Sequence, residues 1–251
     1  MTLPPAFKHR RFIMLWLGLF ISVTGSSMQL WSLFWHISTL SPDPIAVSGV
    51  GAARIIPVVI FALIGGVVAD LYDRRKVMFL TQISLAGIAM LLAVLTMTNT
   101  IQLWHIYLLT ALQATATSFD LPARQALVPN LITNKDDLPS AFSLQSIAFD
   151  LGAIIGPALS GIIIASLGQA YTYLINAISF GAVLIALILI GKVDQEINPE
   201  ARARGFWQPD MMREGIRFIF SKPILISTMP LDFFATFWSS ANTLLPYVAQ
   251  N

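Results

Sequence analysis

The side chains in this sequence with most to offer chemically are four ionisable residues set among apolar neighbours: Arg54, Asp120, Asp150 and Asp232. An ionised group in such surroundings is costly unless it meets a counter-charge, a hydrogen-bonding partner or water, so each needs a reason. A carboxylic acid placed there can take up and release a proton as its surroundings change. An arginine stays charged and can only pair, bind an anion or face water. Other chemistries lack their residues. Cysteine is absent, which removes disulfides, thiolate metal sites and cysteine nucleophiles. His9, His36 and His105 lie far apart, none in a His-Glu-x-x-His spacing, so no metal site is expected. Neither a Gly-x-Ser-x-Gly elbow nor a phosphate-binding P-loop occurs, so neither an enzyme nor a nucleotide-driven pump is supported, and no cofactor is implied.

The elements that must position these residues are long and apolar. Of the 251 residues 56% are hydrophobic and 11% charged, against roughly 25% charged in soluble domains. An ordinary soluble fold is thereby excluded. The net charge of +2 leaves no basic surplus for nucleic acid. A helix needs about 20 apolar residues to cross a ~30 Å hydrocarbon core. Seven stretches qualify, approximately 12–37, 46–69, 77–97, 101–123, 140–166, 170–191 and 224–248. The first follows Lys8-His9-Arg10-Arg11 but is far longer than the core of a signal peptide, so it is expected to remain as a span. Lipid cannot satisfy backbone polar groups and helices satisfy their own, so the fold class is an all-α polytopic membrane protein. The expected domains are a six-helix bundle over 1–191, a basic linker over 192–223 with an amphipathic surface helix near 211–220, and a seventh span within 224–251.

Orientation follows from where the basic residues fall. Fourteen of the fifteen Lys and Arg lie before the first span or in the second, fourth and sixth connections, and the fifteenth, Arg54, is inside span two. Those regions are expected to be cytoplasmic and the Pro42, Asn99 and Gly168 turns to face outward, in the cell (inner) membrane.

Within this frame Arg54 stands roughly 12 Å from the outer end of its span and Asp150 roughly 15 Å from the inner end of its own, which suggests similar depths and makes both candidates for transport or proton coupling. A structural ion pair is the alternative. In span five Gly152, Gly156 and Ser160 recur every fourth residue, a smooth strip for close helix approach, and Pro157, which removes a backbone donor, predicts a kink. Simple helix packing accounts for that strip equally well. Asp150 points about 200° away from Gly152 at 100° per residue, so packing the strip turns Asp150 elsewhere. Trp16, Trp31, Phe34 and Trp35 suit either a bulky amphipathic cargo or lipid contact.

The string Gly65-Gly66-Val67-Val68-Ala69-Asp70-Leu71-Tyr72-Asp73-Arg74-Arg75-Lys76 resembles the signature G-x-L-A-D-R-x-G-R-K of the major facilitator superfamily, matching at Gly66, Ala69, Asp70, Arg74 and Arg75, with Leu71 and Asp73 as departures. These departures are similar to the version in the enterobactin exporter and macrolide efflux branch, as are Leu15-Trp16-Leu17-Gly18, Ala53-Arg54-Ile55-Ile56-Pro57 and the run from Asp120 to Leu127 that includes Arg124. Span five resembles the exporter signature G-x-x-x-G-P-x-x-G-G at Gly152, Gly156, Pro157 and Gly161. The resemblance implies twelve helices in two halves, a midplane substrate site lined by spans one and four, and proton-coupled efflux of a small amphipathic molecule of drug or siderophore type by alternating access. It makes Gly66, Asp70, Asp73, Arg74, Arg75, Asp120 and Arg124 conformational-switch candidates, with an Asp70–Arg124 pair holding the outward-open state. The implied partners are the substrate, protons, the bilayer and a missing carboxy-terminal half, since five further helices are expected. An uptake symporter and a non-transporting fragment are the alternatives.

Overall fold

The computed structural model describes residues 4–43 and 45–195, with isolated helical positions at 217, 221, 227, 228 and 231. The seventh span, Asp232 and the amphipathic segment of the linker fall otherwise outside the described residues. A 3-10 turn at Pro5–Lys8 leads into α1 (Arg10–Leu40), followed by α2 (Ile45–Leu71), α3 (Arg74–Met97), α4 (Leu103–Leu131), a 3-10 turn at Lys135–Asp137, α5 (Leu138–Leu167) and α6 (Gln169–Ile190). There is no strand among the described residues. Five of the six helices are long and apolar enough to cross a membrane. The sixth, α4, has the length at 29 residues but carries Gln113, Asp120 and Arg124. Its inward-turned polar groups, described below, account for the difference.

Local chemistry ends each helix where the chain must turn. The Asp73 carboxylate caps α3 by accepting the N–H groups of Arg75 and Lys76, and Pro139 sits in the first turn of α5, where its missing N–H costs nothing. Between α5 and α6 there is a single residue, Gly168, at φ 93°, a conformation that strains any residue with a β-carbon.

The helices pack in the succession α5, α1, α6, α3, α4, α2, while α1 meets α4 only lightly. Among the described residues α2 and α5 therefore flank the bundle without a neighbouring helix on their far sides. They carry a run of exposed apolar side chains, Ile55, Ile56, Val59 and Ile60 on α2 and Ile147, Leu151 and Ile154 on α5. The main apolar core lies at the end that carries the basic loops, where Phe12, Leu15, Met78, Leu127, Leu144 and Leu187 converge.

The α2–α4 contact is set by a glycine and a proline. In an uninterrupted helix the Ser118 carbonyl would receive the N–H of residue 122, but Pro122 has none. That carbonyl turns toward Gly65, close enough that a β-carbon on Gly65 would overlap the oxygen. Bare glycine lets the two backbones meet, with its Cα–H groups facing the freed acceptor. Gly66, one residue on, has open space where its β-carbon would be. The two neighbours should therefore respond oppositely to the same change. Gly65→Ala is expected to destabilise by about 1–3 kcal/mol through overpacking, whereas Gly66→Ala is neutral or stabilising because alanine is the better helix former. Thermal unfolding of the purified protein in detergent checks this; equal midpoints would contradict the crossing described.

Candidate functional site

At the basic end, the short connection between α2 and α3 works as a clamp. The last carbonyls of a helix lack intrahelical donors, and two adjacent arginines supply them here. Arg74 donates from Nε to the Ala69 carbonyl at the end of α2 (3.3 Å) and from Nη1 to the Ala126 carbonyl (3.4 Å) and Asn130 Oδ1 (3.2 Å) on α4. Arg75 donates from Nε to the Leu187 carbonyl in the last turn of α6 (2.7 Å). A cation at a helix carboxyl end is also favoured by the helix dipole. The segment after α6 closes the arrangement. Gln195 accepts the Arg74 N–H (3.1 Å) and donates to Asp73 (3.2 Å), and Asn130 donates to the Asp194 carbonyl (2.9 Å). Asp73, a departure from the superfamily signature, is thus the cap of α3 and an anchor for Gln195.

The expected pairing of Asp70 with Arg124 is not formed. Asp70 is exposed at the end of α2, and Arg124 binds Asp120, four residues earlier on its own helix. The two share a face of α4 at i,i+4 spacing, in a place from which water is excluded: Asp120 is fully buried and Arg124 is 7% exposed. The remaining Asp120 oxygen accepts the Thr81 hydroxyl (2.8 Å) and the Gln82 amide (2.9 Å) from α3. Phe149 of α5 presents its ring 5.4 Å from the guanidinium, a cation–π contact that ties α5 to the pair. Gln82 Oε1 and Arg124 Nε have no hydrogen-bond partner among the described residues. Thr81 and Gln82 escaped the sequence reading, although two adjacent polar residues early in an apolar stretch were a signal. Gly66 faces open space and packs against nothing.

A second polar seam, also unforeseen, joins α1 to α6 and α4. Asn176 donates to Gln29 Oε1 (2.7 Å), and Gln29 donates in turn to Gln113 Oε1 (2.9 Å). Thr172 donates to Ser32 (2.6 Å), and His36 Nδ1 lies 3.1 Å from the Tyr173 hydroxyl. Gln29, Ser32 and His36 share one face of α1, a spacing that could have marked the seam in advance.

The span-five motif divides between two surroundings. A β-carbon on Gly152 would stand 2.9 Å from Val23 Cγ1 and one on Gly156 2.6 Å from Ser27 Cβ, so the strip packs on α1. Ser160 is buried on the same side. Pro157 is half-buried within α5, and Gly161 faces open space. With the strip turned inward, Asp150 is exposed, as is Arg54 on α2. Neither makes an ion pair or hydrogen bond among the described residues. They are also not level. At 1.5 Å per residue Arg54 stands about 14 Å along α2 from Ile45, and Asp150 about 26 Å along α5 from Leu167. The first is nearer the end opposite the clamp and the second nearer the clamp.

Residues 2–251 match the family described as transmembrane secretion effector. The chain is 30% identical to the staphyloferrin A transporter of Staphylococcus aureus over 69% of its own length and 44% of the relative's. It is 26% identical to the multidrug efflux pump Tap of Mycolicibacterium fortuitum over 84% and 53% respectively, and 28% identical to the enterobactin exporter EntS of Salmonella choleraesuis over 75% and 44%. The chain spans about half the length of the curated relatives it matches. No solved structure matches it.

The buried pair yields a stability test. Asp120→Asn leaves the Arg124 charge without its counter-ion and is expected to cost about 3–5 kcal/mol. Adding Arg124→Gln removes that stranded charge and should recover a large part of the loss. Unfolding midpoints of the single and double variants check it, and equal losses in both would show that the stranded charge is not the source of the cost.

Proposed function

The chain belongs to the transmembrane secretion effector family of major facilitator transporters, and on that footing we propose that it exports a small amphipathic molecule by alternating access, driven by protons. Members of this family are transporters and not enzymes, and the chain is accordingly a multi-pass membrane protein. The observation that carries the export reading is the contrast among its intramembrane charges. Asp120 and Arg124 are buried and paired, whereas Arg54 and Asp150 are exposed and unpaired among the described residues. Charged groups do not face hydrocarbon freely, so the exposed two are read as facing a water-filled path. The relatives' names supply the cargo class, a siderophore such as enterobactin or staphyloferrin A, or a drug.

In this mechanism the clamp of Asp73, Arg74, Arg75 and Gln195 keeps the six helices moving as one body. Asp70, exposed at the rim of that body, is the contact that makes and breaks with the second half. Asp150 takes the proton: neutral in one opening and ionised in the other, it biases the equilibrium between them by its different interactions in each. In this reading the amino terminus and the clamp lie on the cytoplasmic side, which the distribution of basic residues supports.

Everted membrane vesicles carrying the protein should accumulate siderophore or drug cargo when a pH gradient is imposed. Asp150→Asn should remove the dependence on the gradient by about tenfold or more while downhill movement of cargo continues, as expected when a group with a protonation role is held neutral. Gradient-driven transport of normal size in that variant would exclude Asp150 as the coupling group. Absence of any cargo movement in the unaltered protein would contradict the export reading itself.

A further inference from the structure

We propose, resting on the transporter reading above, that the cargo is an organic anion and that Arg54 is the group that binds its acidic function. Three features of α2 support this. First, Arg54 stands well inside a described span, away from the helix ends where other basic residues sit, and the fold leaves it without a counter-charge: Arg124 has Asp120 and Phe149, while Arg54 is exposed and makes no ion pair or hydrogen bond among the described residues. A guanidinium cannot shed its charge, so in an apolar layer it requires an anion or water opposite it. Second, the surroundings leave room for a ligand. Gly51, three residues earlier and on the same face, has open space where a side chain would project. Third, Pro57 lies within the continuous helix three residues later. It removes the N–H that would otherwise bond the Ala53 carbonyl, leaving an acceptor beside the cation for a hydroxyl or amide of the ligand.

The rest of that surface fixes the remaining character of the cargo. Val58, four residues on and on the same face of α2, is 40% exposed, so a body docking at Arg54 would meet an aliphatic side chain beside a single cation. The matching molecule has one or more carboxylate-like groups on an apolar or aromatic frame. The carboxylate fork is also the geometry that a guanidinium bonds in two places at once, which an ammonium in its place would not reproduce.

Two probes with the same pyrene body and opposite charge test this: 1-pyrenebutanoate and its trimethylammonium counterpart, followed by fluorescence in everted vesicles carrying the protein. The unaltered protein should move the carboxylate in preference to the ammonium. Arg54→Gln should lower carboxylate transport at limiting concentration by about tenfold or more, the scale of a lost charge-assisted hydrogen bond, with Arg54→Lys intermediate. Preference of the unaltered protein for the ammonium would overturn the anion proposal and leave export standing. Equal loss of both probes in Arg54→Gln would overturn the binding role of Arg54, since a structural residue affects cargo of either sign. Movement of neither probe, with siderophore and drug cargo also unmoved, would overturn the transporter reading and this proposal with it.

Discussion

Hydrocarbon offers no hydrogen bonds, and that single constraint shapes everything observed in this chain. It makes every described span a helix, because only a helix satisfies its own backbone there. It also favours a polar side chain within a span that finds a partner inside the bundle. Gln29, Gln113 and Asn176 do so by chaining their amides across three helices. Asp120 does so with Arg124, Thr81 and Gln82. Against that background an unpartnered charge is conspicuous, and Arg54 and Asp150 draw their functional meaning from the contrast and not from their identity alone.

The same constraint explains how the bundle is held together without a hydrophobic drive between helices in lipid. Small residues allow backbones to touch, as Gly152 and Gly156 do on α1 and Gly65 does on α4. Polar bonds then fix which helices meet. At the basic end, where the helices leave the apolar layer, Arg74 and Arg75 donate to carbonyls of α2, α4 and α6. A signature that could be read merely as a positive loop is thus the part that ties the ends of these helices together.

The six described helices were legible in the sequence because span length and loop punctuation are read directly from apolar runs. Their ends were less so. The apolar run near 101–123 understated α4, which continues to Leu131, since Asp120 and Arg124 looked like a boundary but are neutralised internally. The spacing of Gly152, Gly156 and Ser160 announced a close helix neighbour without naming α1, because a strip records the approach and not the partner. The Asp70–Arg124 expectation failed for a related reason: both residues lie near helix ends on the same side, but a partner one turn away on the same helix needs no tertiary arrangement. Arg54 and Asp150 were expected at similar depths because one was counted from the outer end of its span and the other from the inner end of its own, and α5, at 30 residues, is longer than those two distances together.

What remains to be measured directly is whether Arg54 and Asp150 face an aqueous path. The chain has no native cysteine, so Arg54→Cys, Asp150→Cys and, on the exposed apolar surface of α6, Ile185→Cys can each be reacted in intact membranes with a charged methanethiosulfonate. The account predicts that positions 54 and 150 are modified and that 185 is not, because thiols ionise and meet a charged reagent only in water. Positions 54 and 150 as unreactive as 185 would place both charges against lipid or buried protein and contradict the path on which the transport reading stands.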